Sequence, residues 1–291
     1  MRSRGRIAFV TGSAGLVLAA LAWSCGIGVS GSGPVFDAGT DAAAPPDAFL
    51  PPVGDGSIGD ASVLDGSTLS CPTKGGAMVP SSLDGGSFCI DATEVTNAAY
   101  DAFLATSDGG YDAGALAADA AVPSRCAAAS TTIRYPSQDA GSAQQPTALV
   151  DWCDAWLYCR WTGKRLCGKG ATDRDASTGE WYAACSGDGS RSYPYGAAFI
   201  PDTCVDSTSS TTAAVGSHPA CVGSAPSLED MSGNVAEWVD SCSGTSCATA
   251  GGGYGAGGSA DFACAASKDI LSNSQLGTVG FRCCADRVGV P

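Results

Sequence analysis

Two carboxylates, Asp230 and Glu237, bracket a Gly-Asn turn in the stretch LEDMSGNVAEWVD, Leu228 to Asp240, and Trp238 follows the second. Calcium accepts carbonyls mixed with carboxylates, which is what a glycine-containing turn between two acids can offer. The same residues also suit a tight turn beside the core, with Asp230 capping it, Glu237 paired with an arginine and Trp238 buried. Sulfur is the second reactive element: the chain has fifteen cysteines and a single histidine, His218, in GSHPAC. The closest cysteine pairs are Cys283 with Cys284, Cys242 with Cys247 and Cys153 with Cys159, none of them a CxxC. With one histidine, read as a solvated loop residue, the ligand set of a structural zinc site is not there.

These residues belong to a 291-residue chain with a formal net charge of −14 at pH 7. Such a surface repels phosphate backbones and excludes nucleic acid as a partner. At the start, Arg2, Arg4 and Arg6 precede an apolar stretch, Ile7 to Trp23, and then Ser24, Cys25 and Gly26. A basic region, an apolar region and small residues near a cut site predict a secretory signal over residues 1–24. The stretch is short for a permanent span and carries Gly and Ser. ALAWSC resembles a bacterial lipobox, in which Cys25 bears lipid as the first residue after cleavage; ordinary secretion and an uncleaved anchor are the alternatives. Setting Cys25 aside leaves fourteen cysteines, an even number that suits disulfides formed in an oxidising compartment.

Residues 25–70 hold Asp, Gly, Ala, Pro and Ser with no Lys or Arg. They read as an acidic tether, with an r.m.s. span of about 35 to 40 Å if it behaves as a flexible coil. Residues 71–291 then form the expected folded domain. Within it, Thr96 is placed to cap a short helix that presents Tyr100, Phe103 and Leu104 on one face. A stronger helix runs through VDWCDAWLYCRW: Asp151 caps its start, Gly163 stops it, and Trp152, Ala155, Trp156 and Cys159 share a face. TGEWYAAC, Thr178 to Cys185, gives one or two further turns, and Ser107 to Ser124 reads as an Ala/Asp/Gly insertion. Short strands and long loops complete an α+β domain stitched by disulfides.

At this level the order and spacing of FCIDATEVTNAAYDAFL, VDWCDAWLYCRWTGKRL, GEWYAACSGDG, YPYG, DMSGNVAEWVD, GGGYG and GFRCCADR resemble the formylglycine-generating enzyme family, also called the sulfatase-modifying-factor domain. The resemblance covers about Cys71 to Arg287. It implies the family's loop-rich variant of the C-type-lectin-like α+β fold.

The resemblance also implies a site. Catalytic members bind copper(I) with two cysteines shortly after an Arg-Gly-Gly-Ser-aromatic motif and oxidise a substrate cysteine to formylglycine; thiolate sulfur suits copper(I) and is not exchangeable for hard ligands. Here Ala250 and Gly253 stand at the arginine and serine positions. The cysteine positions hold Ala256 and Asp261 counted forward from Tyr254, or Tyr254 and Ser259 counted back from GFRCC. Both thiols are absent either way, so no copper is expected. A related branch uses ferrous iron held by histidines, which a chain with one histidine cannot supply. By resemblance, calcium is expected on Asp230, Gly233, Val235 and Glu237, with a second site near Asp202 or Asp206. Two disulfides are implied in the same way, Cys159 to Cys283 and Cys185 to Cys264. Cys204 to Cys221 and Cys242 to Cys247 are expected from proximity alone.

The expectation is therefore an exported, lipid-anchored domain of this family without the copper-thiolate centre. It would be a calcium-stabilised binding or structural module for a protein or glycan ligand of the cell envelope, at the outer membrane or cell surface. The rival is an oxidoreductase acting on protein cysteines.

Overall fold

Helix positions follow from the caps. In the computed structural model, Asp151 accepts the Asp154 N–H at 2.9 Å while the Asp154 carboxylate accepts the Asp151 N–H at 3.1 Å, a reciprocal box that starts the helix Trp152–Trp161. Thr162 and then Gly163, at φ +78°, end it. Similarly, the Thr96 hydroxyl accepts the Ala99 N–H at 3.2 Å at the start of α1, Asn97–Thr106. The structure describes residues 69–83, 86–106, 122–127, 142–168, 179–187 and 189–289. The expected signal, Cys25, the tether up to residue 68 and most of the insertion lie outside them.

A short helix Ser124–Ala127 (α2) precedes Trp152–Trp161 (α3), and Glu180–Ser186 (α4) follows. Of the face expected on α3, Trp152, Ala155 and Cys159 are buried. Trp156 is half-buried, with Arg160 lying 5.9 Å from its ring, and Leu157 and Tyr158 join the core instead. The wider buried arc reflects a helix covered on more than one side. Tyr100, Phe103, Tyr158 and Phe281 pack ring against ring, with Tyr158 and Phe281 centroids 5.4 Å apart in an edge-to-face pair.

Two four-stranded sheets receive these helices. One contains β2 (Met78–Leu83), β3 (Gly86–Asp91), β9 (Cys283–Asp286) and β4 (Arg165–Leu166), in that order and antiparallel. The other runs β7 (Ser267–Leu271), β6 (Ser246–Ala250), β5 (Ala236–Ser243) and β8 (Val279–Phe281), with β5 and β8 parallel. A two-stranded ladder joins β1 (Leu69–Ser70) to β10 (Val288–Gly289). The architecture is α+β. β8 and β9 lie in different sheets and are separated by one residue, Arg282, so the chain passes from sheet to sheet at that point. Among the described residues no helix is long and apolar enough to cross a membrane.

Every cysteine from Cys71 onward is bridged. The four pairs named from the sequence, Cys159–Cys283, Cys185–Cys264, Cys204–Cys221 and Cys242–Cys247, are joined in the structure. Cys71–Cys89, Cys126–Cys153 and Cys167–Cys284 complete the set. The adjacent Cys283 and Cys284 point to opposite faces of β9, as neighbours on a strand must, so one ties α3 and the other ties the end of β4. Cys159–Cys283 and Cys185–Cys264 close sequence separations of 124 and 79 residues. In the chain-entropy account each is worth about 4 to 5 kcal/mol, against about 2 kcal/mol for the short Cys242–Cys247 loop. Replacing both cysteines of Cys185–Cys264 by alanine should therefore lower the denaturant-unfolding free energy about twice as much as replacing both of Cys242–Cys247. Equal losses would show that native-state contacts, not loop closure, set the contribution.

Candidate functional site

Arg282 sits at the sheet junction with 0% exposure, and Glu237, at 1%, faces it from β5. Its Nε donates to Glu237 Oε2 at 2.8 Å and to Oε1 at 3.0 Å, and Nη2 donates to Oε1 at 2.8 Å. Trp181 Nε1 adds a fourth hydrogen bond, to Oε2 at 2.8 Å. The remaining guanidinium N–H groups donate to the carbonyls of Asp91, Glu229 and Asp230. Beside this knot, Asp91 accepts from Lys164 Nζ at 2.5 Å and from the Cys283 N–H at 2.9 Å. Isolated buried charges are costly, and this arrangement gives each a partner of opposite charge.

The turn from Leu228 to Val235 wraps the same arginine. Asp230 and Asn234 both adopt φ +56°, and Gly233 lies at φ +79°. A Cβ on Gly233 would stand 2.0 Å from the Val205 carbonyl oxygen, which accepts the Asn234 N–H at 2.9 Å. The glycine is thus fixed by a close backbone approach. Asp230 is 2% exposed and its carboxylate accepts the Gly216 N–H at 2.6 Å.

Both carboxylates expected to hold calcium have hydrogen-bond partners within the protein. Both Glu237 oxygens already accept from Arg282 and Trp181, and a cation on them would face a guanidinium at contact distance. Among the described residues no group of three or more His, Cys, Asp or Glu is arranged to hold a metal. Of the four residues expected to hold calcium, Glu237 serves Arg282 with its side chain and Asp230 with its carbonyl, Gly233 packs on Val205, and Val235 is core at 1% exposure. At the second expected position, Asp206 accepts from the Asp202 N–H, the Thr208 N–H and the Thr208 hydroxyl, which closes that loop on itself.

Sequence reasoning assigned no role to Arg282 or Glu94, although both stand in quoted motifs. Glu94 is 2% exposed; Asn234 Nδ2 lies 3.4 Å from its Oε2, and its Oε1 has no hydrogen-bond partner among the described residues. Burial first, and then the Asp230 charge, push the Glu94 carboxyl well above its ordinary range. A charged residue inside an apolar motif was the only signal that marked either one.

A cleft of about 520 Å³ begins at Ala236, directly after the turn, and the run Gly252 to Gly257 lines it. Gly233 donates to the Gly251 carbonyl and Tyr254 donates to the Asn234 carbonyl, so the run Gly252 to Gly257 is laid along the turn. Gly253 is pressed against the Thr278 carbonyl, which an added Cβ would approach to 2.6 Å. Ala260 and Asp261 also line it, with Thr249 of β6 and Lys268 and Ile270 of β7. Asp261 accepts the Gly257 N–H at 2.9 Å. Of the positions where the resemblance expects the two cysteines, Tyr254, Ala256 and Asp261 line the cleft; Ser259 does not, and its carbonyl accepts from the Tyr193 hydroxyl. These side chains carry oxygen and carbon at the positions where the resemblance leads one to expect thiols.

Two outcomes follow from this geometry. Arg282→Leu, which leaves Glu237 buried and unpaired, should cost about 3 to 5 kcal/mol by chemical denaturation, and the wild-type melting temperature should be the same in millimolar calcium and in chelator. A calcium-dependent rise would mean that a cation joins the knot. Glu94 has a raised pKa in the fold, so the folded state binds more protons than the unfolded chain and its stability falls as pH climbs above the ordinary glutamate value. Glu94→Gln removes that loss. It should be more stable than wild type at pH 7 to 8 and indistinguishable near pH 4, as read by denaturant titration at each pH.

The model of the sulfatase-modifying factor enzyme 1-like domain matches residues 54–287, beginning within the expected tether. No curated protein matches the chain. Among solved structures, PvdO from Pseudomonas aeruginosa is 17% identical, with 72% of this chain and 91% of that one covered at a TM-score of 0.49. CarF is 18% identical over 69% and 86% at 0.45, and Treponema denticola variable protein 1 is 18% identical over 68% and 84% at 0.45. With its family model matched over most of its length, the chain belongs to the family of the sulfatase-modifying factor enzyme 1-like domain.

Proposed function

We propose that the chain is an exported, lipid-anchored binding module of this family, in which the cleft receives a protein or glycan ligand of the cell envelope without thiol-copper chemistry. The observation that carries this reading is the cleft itself. Its lining includes Ala236, which follows the SGNV turn, and several glycines and alanines, and it presents Tyr254, Ala256 and Asp261 at positions where the resemblance expects thiols. Tyrosine and aspartate oxygens are poor ligands for copper(I), which prefers sulfur. Glycine and alanine walls leave backbone N–H and C=O groups within reach of a ligand, and Asp261 and Lys268 put one charge of each sign at the rim. Seven disulfides suit an oxidising compartment and support export. The basic-apolar segment ending at Cys25 supports the lipid anchor.

Three measurements test the reading. Supplied with copper(I), oxygen and a cysteine-containing peptide, the purified chain should yield no aldehyde; turnover that one substitution in the cleft abolishes would make it an oxidoreductase. Fatty-acid labelling in the native cell should mark wild type and spare Cys25→Ala, and equal labelling would remove the anchor. Ala256→Trp, which fills the cleft, should weaken binding to envelope glycans or peptides by about tenfold or more at unchanged melting temperature, the scale expected when buried contacts are lost. Unaltered binding would place the ligand elsewhere.

A further inference from the structure

The seven bridges are not equivalent towards an incoming thiol. Five have both cysteines buried, whereas Cys71 in Cys71–Cys89 and Cys242 in Cys242–Cys247 are half-buried. Cys242 and Cys247 stand directly opposite each other in the β5–β6 hairpin, below an exposed tip of Ser243, Gly244 and Thr245. Cys247 is 0% exposed, and Arg125 Nη1 donates to its sulfur at 3.2 Å. The guanidinium is held there: it lies 5.2 Å from the Trp152 ring centroid, and its neighbour Cys126 is bonded to Cys153 of α3. The Asp240 carboxyl, raised by burial, is drawn back down by the same guanidinium. Among the described residues no other bridge has an arginine donating to its sulfur.

We propose that Cys242–Cys247 is a thiol–disulfide exchange site that reacts with dithiols by attack at Cys242. The two sulfurs differ in the sense that exchange requires: the accessible one is open to attack, and the buried one lies beside a cation that stabilises it as a leaving thiolate. A thiolate of the dithiol forms a sulfur–sulfur bond to Cys242 as the Cys242–Cys247 bond breaks, and the electron pair departs on Cys247 Sγ opposite Arg125. The second thiol of the dithiol then attacks the mixed disulfide at its own sulfur, and Cys242 leaves as thiolate. The two protons of the dithiol end on Cys242 and Cys247; the dithiol is oxidised to its disulfide and the hairpin bridge is reduced by two electrons. The frame withstands this step, because β5 stays paired to β8 and β6 to β7. This site is on the hairpin and independent of the cleft.

Timed exposure of the folded protein to dithiothreitol, followed by alkylation and peptide mapping, tests the assignment. Cys242 and Cys247 should be labelled first, ahead of Cys71 and Cys89, which match them in access but lack the guanidinium. Glutathione should add to Cys242 and not to Cys247. Arg125→Gln should slow opening by about tenfold, because the leaving thiolate loses its cation, while Arg125→Lys keeps most of the rate. Opening of Cys71–Cys89 at the same rate, an adduct on Cys247, or an Arg125→Gln variant as fast as wild type would each overturn the proposal. The site of the adduct in the wild type decides the matter even if Arg125→Gln does not fold.

Discussion

The buried pair of Arg282 and Glu237 is the contact on which the two sheets agree. A guanidinium at the single residue between β8 and β9 cannot be left unpaired at that depth, and β5 brings the carboxylate that answers it. Trp181 of α4 bonds the carboxylate, and the carbonyls of the Leu228–Val235 turn and the end of β3 accept from the guanidinium, so three further parts of the chain are oriented by one ion pair. The cleft inherits that order. Its glycine-rich wall hydrogen-bonds to the turn, and the turn is fixed on the arginine.

Disulfides complete what the ion pair begins. Short helices and strands bury little per element, and a domain with so much loop gains from covalent closures that restrict the unfolded chain. The two bridges at Cys283 and Cys284 flank Arg282 immediately, so the covalent and ionic restraints share one strand end. Opposite faces of β9 are tied, one to α3 and one to β4, which fixes the strand's rotation as well as its position.

Much of this was legible in the residues. Asp151, Gly163 and Thr96 are local signals, and the helices begin and end where those signals place them. The α+β class and the family also followed from the order of the motifs. What local pattern could not reach was partnership across the sequence. Glu237 faces a residue 45 positions away, and Asp91 answers Lys164 from 73 positions away; spacing alone does not distinguish a carboxylate waiting for calcium from one occupied by arginine. Both readings of LEDMSGNVAEWVD were consistent with the types present, and the choice depended on Arg282, whose burial no periodicity marks. Trp156 was misplaced for a related reason: a helix enclosed on several sides has no single apolar face to count.

The one-residue passage between the sheets has a consequence for how the domain can diverge. An insertion or deletion between Phe281 and Cys283 would displace the arginine and move both cysteines to the wrong face of their strand, so length change there is lethal to the frame. The run from Tyr254 to Ser259, by contrast, carries no bridge and no buried charge, and three of its residues are exposed. Substitutions and small changes of length can accumulate in it while the scaffold stays constant. The fold thereby separates a constant frame from a segment free to vary.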